Sequence, residues 1–211
     1  MSKPEPSRPS GRPPRRKAER AEATRRTLVR VGRRLFARRG FEAVPQEAIV
    51  AAAGVTRGAL YHHFDGKRGL FRAVVVDAMQ EVHARLARAA AGASHPLEGL
   101  ERGVRAFVES CADPVYQRVL LVDGPAVLGW HEWRALDLEY GLGLLLRGLR
   151  AAAAAGAIAV PDVDTAAHLL AGALIDGAML VGRDPGAATR RHVLETALRL
   201  LRGLSARPRD G

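Results

Sequence analysis

Cysteine is nearly absent from the 211 residues: Cys111 stands alone, which excludes an internal disulfide and suits a reducing compartment. Aromatic residues make up only 5%, so a site built from rings has few contributors to draw on. No uninterrupted apolar stretch is long enough to span a bilayer. Residues 142–160 include Arg147 and Arg150, and residues 165–182 include His168 and Asp176, so both are expected to be buried helices. No apolar run follows the first charges, so no secretory signal is expected. Phosphate loops, nucleophile elbows, zinc-ligand spacings and dinucleotide-binding glycine patterns are lacking too. Together these absences predict a soluble cytoplasmic protein with no metal, cofactor or membrane partner, and they speak against an enzyme.

Negative charge is scarce at one end. The net charge is +11, yet the first forty residues hold fourteen of the 33 basic side chains against three of the 22 acidic ones. The remaining 171 residues carry 19 of each sign and are neutral on balance. A basic block of this kind reads as a polyanion-binding segment, with nucleic acid ahead of an anionic membrane surface, or else as a solubilising tail. Residues 1–17, rich in Pro, Ser, Arg and Gly, are expected to form a disordered arm that adds phosphate contacts.

The rest reads as all-α. Leu28, Val31, Leu35 and Phe36 form one apolar stripe on an Arg-rich helix that Gly40 ends, with Phe41 expected to fold back over the stripe. A short helix fits Gln46–Ala53, with Pro45 at its start, and Gly54 breaks it. Thr56 is the expected N-cap of a second short helix running to about His63. A long helix follows from about Lys67 to Ala90. Further helices are expected near 97–111, 115–128, 131–155, 163–182 and 187–204, separated by Asp-Pro, Gly and Pro-Asp punctuation. These elements are expected to divide into two domains, residues 18–75 and residues 76–211.

Two short helices joined at a glycine are the helix-turn-helix arrangement. Gly54 supplies the positive φ, Ile49, Val50 and Ala53 face inward, and Val55, Leu60 and Phe64 anchor the second helix. Thr56, Arg57, Gly58, Ala59, Tyr61 and His62 remain for the outer face, where Arg57 is suited to guanine or phosphate. Tyr61, His62 and His63 also read as an ordinary aromatic patch. A metal site on His62 and His63 is disfavoured because neighbours on a helix do not share a face.

The run Leu35-Phe36-Ala37-Arg38-Arg39-Gly40-Phe41-Glu42-Ala43, then Ile49 to Gly54, then Val55-Thr56-Arg57-Gly58-Ala59-Leu60-Tyr61-His62-His63-Phe64 with Lys67 resembles the TetR family of bacterial repressors. The resemblance covers roughly residues 20–75. It implies a homodimer whose three N-terminal helices bind double-stranded operator DNA and whose C-terminal helices form a small-molecule pocket and the dimer interface. Position by position it implies phosphate contacts by Thr56, Tyr61 and Lys67, and groove-facing roles for Arg57, Gly58 and His62. Where the family usually has Thr followed by Ser or Thr, this chain has Val44 and Pro45, which removes a capping hydroxyl; Gln46, at a usually aliphatic position, is the expected replacement contact. Val50 stands where Ala is customary.

Farther along, Trp130, His131, Trp133 and Arg134 read as helix packing or as one wall of a ligand cavity, and Phe107, Cys111 and Tyr116 read the same two ways. The expected ligand-binding set is Phe107, Cys111, Tyr116, Trp130 and Trp133. Asp113, Asp123 and Asp137 have no visible partner and are expected at the surface or in caps. Apolar rows on the last helix, centred on Leu198 and Leu201, facing the small residues of 163–182, predict a two-fold four-helix seam; packing within one chain is the plainer alternative. The function expected is a ligand-responsive transcriptional regulator, most simply a repressor. The rivals are an architectural nucleic-acid binder, which would lack a cavity, and an all-α enzyme.

Overall fold

A computed structural model describes residues 14–206. Its elements are α1 (Pro14–Arg39), α2 (Gln46–Ala53), α3 (Arg57–His63), α4 (Gly66–Ala90) and α5 (Pro96–Ser110). A π-helical segment, Val115–Asp123, then runs into α6 (Gly124–Leu128). It is followed by α7 (Trp130–Asp137), a second π segment at Leu138–Leu142, α8 (Gly143–Ala154), α9 (Val163–Arg183) and α10 (Ala187–Arg202). Among the described residues the only strand-like pairing is an isolated bridge between Ile158 and Ser205. The all-α expectation holds.

Boundaries differ from expectation in two places. Helix α1 begins at Pro14, inside the stretch 1–17 expected as an arm; the fixed φ of proline suits a first helical turn, and Arg, Lys, Ala and Glu continue it. Residues 1–13 lie outside the described residues. The single helices expected at 115–128 and 131–155 are each interrupted by π-helical turns. Glycines make room for them: a Cβ at Gly143 would stand 2.5 Å from the Leu138 carbonyl, and one at Gly141 would stand 2.6 Å from Asp137 Oδ1.

The N-terminal helices close on a buried stripe. Leu28, Val31 and Phe36 are buried, and Gly40 ends α1 with φ +77° while its N–H donates to the Phe36 carbonyl at 2.8 Å. Phe41 folds back as expected, its ring 5.7 Å from Phe36 and 5.0 Å from Phe71. Val44 is fully buried in the same cluster, so the position that lost a hydroxyl became a core residue. The first core does not stop at Val75. It takes in Cys111, Tyr116, Val119, Leu120, Trp133, Leu136, Ala178 and Val181 as well as α1–α4, and α4 itself runs unbroken to Ala90.

A second core joins α5, α8, α9 and α10 through Leu100, Val104, Leu149, Leu170, Leu174, Leu198 and Leu201. Here one expectation is corrected. Leu198 and Leu201 are 5% and 0% exposed within a single chain, so they pack inward and are unavailable as a seam. What α9 and α10 leave outside is Leu169, Leu180 and Leu200, at 71%, 50% and 50% exposure, with exposed Gly172 and Ala173 between the first two. By length and composition α9 is apolar enough to cross a membrane; its inner face, Ala167, Leu170, Ala171, Leu174, Ala178 and Val181, is buried in the protein. Gln117 ties α9 to the rest: its Nε2 donates to the carbonyls of Cys111 and Ala178, both at 2.8 Å, and its Oε1 lies tight against Gly182.

Candidate nucleic-acid interface and effector cavity

The helix-turn-helix is built by local rules. Gly54 ends α2 with φ +65°, giving its N–H to the Ala51 carbonyl at 3.2 Å. Thr56 caps α3, its hydroxyl accepting from the Ala59 N–H at 3.2 Å. Pro45 caps α2 without any side-chain hydrogen bond, the consequence of having no hydroxyl there. Ile49 and Leu60 are fully buried and lock the two helices together. Arg25 from α1 lies over the Phe64 ring, 5.6 Å from its centre, fixing the end of α3.

Thr56, Arg57, Gly58, Tyr61 and His62 share the exposed side of α3. Gly58 has no atom nearer than the Thr56 hydroxyl at 3.8 Å to where a Cβ would stand, so the backbone there is open to close approach. The Arg57 guanidinium lies 5.8 Å from the Tyr61 ring centre. Tyr61's phenol is held below its ordinary pKa by Arg57 first and Gln46 second. Gln46 is half-buried beside Tyr61, and among the described residues its Nε2 makes no hydrogen bond of full geometry. Lys67 is the exception among the predicted contacts. Its Nζ donates to the carbonyls of Phe41 and Val44, at 3.0 and 3.1 Å, and sits 4.1 Å from the Phe41 ring centre. The residue expected to meet phosphate is turned inward, where the two carbonyls at the end of the α1–α2 connection offer it acceptors.

Behind this unit, α4, α5, both π segments, α7, α8 and α9 line a cavity of about 570 Å³. Of the five predicted ligand contacts, Phe107, Tyr116 and Trp133 line it. Cys111 does not. Its side chain is fully buried beneath the wall, its thiol donates to the Phe107 carbonyl at 3.2 Å, and burial pushes its pKa up to about 12, so it is an inert core residue. Trp130 does not line it either: it is 60% exposed and leans on the outside of Trp133, with ring centres 5.4 Å apart. Trp133 is set inward because its indole N–H donates to the Leu120 carbonyl at 2.8 Å and Gly124 leaves room for the ring.

The connections between cavity and DNA-binding unit were missed from the sequence. Asp123, expected at the surface or in a cap, accepts from the Phe41 N–H at 2.7 Å and pairs with Arg118 at 3.5 Å. Arg118 also explains Gly40 a second way, since a Cβ there would collide with its guanidinium. Glu132 on α7 accepts from Arg68 at 2.8 Å and Arg72 at 2.6 Å, both on α4, while Arg68 also donates to the carbonyls of Val127 and Leu128. Burial opposes ionisation of Glu132, but the two arginines outweigh it and hold its carboxyl below the ordinary range. Asp137 is likewise neither exposed nor unpaired; it lines the cavity and bonds Arg134. Asp113 does serve as a cap, accepting from the Val115 N–H at 2.7 Å. The long-range pairs join positions about 60 to 82 apart in sequence, so no local pattern marks them.

Residues 28–74 match the family model of bacterial regulatory proteins of the tetR family, and residues 97–204, half of the chain, match the tetracyclin repressor-like C-terminal domain. The HTH-type transcriptional regulator TtgR of Pseudomonas putida is 41% identical over 75 residues, 36% of this chain and 35% of that protein. UidR of Escherichia coli is 28% identical over 106 residues, 49% and 50% of the two chains. These matches span a third to a half of the curated relatives' length. Among solved structures, a TetR-family transcriptional regulator from Pectobacterium atrosepticum superposes with a TM-score of 0.75 at 32% identity, over 90% of this chain and 98% of that one. A regulator from Shewanella sp. PV-4, at 18% identity and TM-score 0.70, shares the fold over 87% and 99%. With its glycine-turned helix pair in front and its helix-lined cavity behind, the chain belongs to the TetR family of bacterial regulators.

Proposed function

We propose that the protein is a ligand-responsive transcriptional regulator, a repressor that binds palindromic operator DNA as a homodimer in the cytoplasm and acts by binding rather than by catalysis. The observation that carries this reading is α7. One face of this two-turn helix supplies Trp133 and Asp137 to the cavity, and the other holds Arg68 and Arg72 of α4 through Glu132. A molecule entering the cavity meets α7, and α4 begins three residues after α3 ends. Ligand and DNA therefore bias the same helix, which is what a coupling free energy between two sites requires. An architectural binder has no use for such a cavity. Among the described residues no cluster of His, Cys, Asp and Glu is suited to hold a metal.

On DNA, Arg57, Gly58 and His62 take the groove-facing positions, Thr56 and Tyr61 the phosphate positions, and Gln46 stands beside Tyr61. The functional division falls near Val75, with operator binding in 18–75 and effector binding and dimerisation in 76–211. The dimer face is the outer side of α9 and α10, around Leu169, Gly172, Ala173, Leu180 and Leu200, where the small residues permit close approach of a second helix pair. Selection from a random duplex library with the purified protein tests the reading. A palindrome with half-sites about one helical turn apart is expected. Recovery of no enriched sequence would overturn it.

A further inference from the structure

The few polar groups that face the cavity restrict what it takes. Most of the wall is aliphatic or aromatic, but at the end formed by α4, α7 and the two π segments stand Tyr116, Asp137 and His83. Tyr116 is 8% exposed, its ring edge-on to Phe107 at 5.7 Å, and its hydroxyl has no hydrogen-bond partner among the described residues. Asp137 gives one oxygen to Arg134, and the other, beside Gly141, accepts nothing among the described residues. His83 holds the Tyr140 carbonyl through Nδ1 at 2.6 Å. A carbonyl only accepts, so Nδ1 carries the proton and Nε2 of the neutral ring is an acceptor. Trp133 offers only its ring, its N–H being engaged by Leu120.

This end therefore holds two acceptors without donors, the second Asp137 oxygen and Nε2 of His83, beside one unpartnered hydroxyl, that of Tyr116, so an occupant that brings a donor is favoured. The charge balance selects which kind. Arg134 already neutralises Asp137, and Arg147, exposed at the lining and forming no ion pair among the described residues, adds positive charge there, so a cationic occupant would find no free counter-charge in a mostly apolar site. A carboxylate would face Asp137. A hydroxyl has neither defect, and of a hydroxyl, an ether, an ammonium and a carboxylate it alone both donates to Asp137 and accepts from Tyr116. We propose that the cavity takes a neutral, ring-bearing apolar molecule carrying a hydroxyl, a phenol or alcohol, seated with that hydroxyl between Asp137 and Tyr116. Burial raises the Asp137 carboxyl in spite of Arg134, the direction expected of an acceptor short of donors. At about 570 Å³ the cavity lies within the usual range for small-molecule sites, about 300–1,000 Å³, and a two-ring compound fits with room to spare.

The inference rests on the cavity being the effector site, and the test separates the two. Calorimetry on the full chain would compare four probes that differ only in the polar group: 2-naphthol, 2-methoxynaphthalene, 2-naphthylmethylamine and 2-naphthoate. Naphthol is expected to bind at least about tenfold more tightly than its methyl ether, because a buried acceptor left without a donor is costly. Tyr116→Phe and Asp137→Asn are each expected to reduce that preference to about threefold or less while leaving methoxynaphthalene binding unchanged. Equal binding of naphthol and its ether, tighter binding of the amine or the carboxylate, or binding of none of the four would overturn the hydroxyl assignment. Operator release is then read for every probe that binds. A naphthol preference without release removes the effector reading and keeps the assignment; release by naphthol and ether alike does the reverse.

Discussion

A lysine three residues beyond Phe64 has two sorts of acceptor within reach, a nucleic-acid phosphate and the carbonyls that close the α1–α2 connection. In this chain Lys67 takes the carbonyls of Phe41 and Val44. Lys67→Met should therefore lower the unfolding free energy by about 1–3 kcal/mol for the two charge-assisted bonds lost, read as an earlier denaturation midpoint. The slope of log operator affinity against log salt should stay the same, whereas a lost phosphate contact would flatten it by about 0.9. Arg57 and Tyr61 divide along another line. Arg57→Ala should cost about 1–3 kcal/mol and relax preference at one base. Tyr61→Phe should weaken all sites evenly. Titrating both against operator point mutants separates them, and an unchanged preference profile in Arg57→Ala would remove its base-reading role. Residue roles set by near neighbours, such as the Gly54 turn and the Thr56 cap, were legible in the sequence because they depend on backbone a few positions away. Cys111 and Trp130 were misread because a sparse ring or thiol looks the same in sequence whether it lines a cavity, lies beneath its wall or leans on its outside.

At the scale of elements, every helix was visible but not its pitch. Apolar spacing barely distinguishes 3.6 from about 4.4 residues per turn over one or two turns, so 115–128 and 131–155 read as plain helix. The difference matters because both π segments line the cavity. Neither was α7's double attachment legible, since Glu132 and its arginines are about 60 residues apart. That attachment predicts an uncoupling variant. Glu132→Gln should bind a cavity ligand as tightly as the parent while operator release shrinks, with the coupling of about 1–3 kcal/mol reduced by half or more. Calorimetry gives the first quantity and DNA titration with and without ligand the second. A variant that releases operator as fully as the parent would move the coupling to the Asp123–Phe41 contact.

At the scale of the molecule, the class and two-part plan could be read from the chain, but not which side of the last helices is covered. Apolar residues lie around much of α10, and composition cannot say which of them meet their own chain. The buried leucines now predict collapse: Leu198→Asp with Leu201→Asp would bury two charges without partners and should unfold the α8–α10 region, seen as lost helical circular dichroism. The exposed leucines of α9 and α10 predict dissociation. Leu169→Glu with Leu200→Glu should give a monomer by sedimentation, with unchanged helical content and sharply weaker operator binding. A folded dimer with full affinity would put the interface elsewhere.

Gln117 also limits how this sequence can drift. One amide holds the end of α5 and the middle of α9, and it leaves no space for a side chain at Gly182. Alanine at 182 would evict the amide, and a shorter residue at 117 would strip hydrogen bonds from two carbonyls. Neither position can vary alone without harm. In diverging descendants of this gene the two should change in step, so that a lineage with a side chain at 182 is expected to have already given up the glutamine at 117.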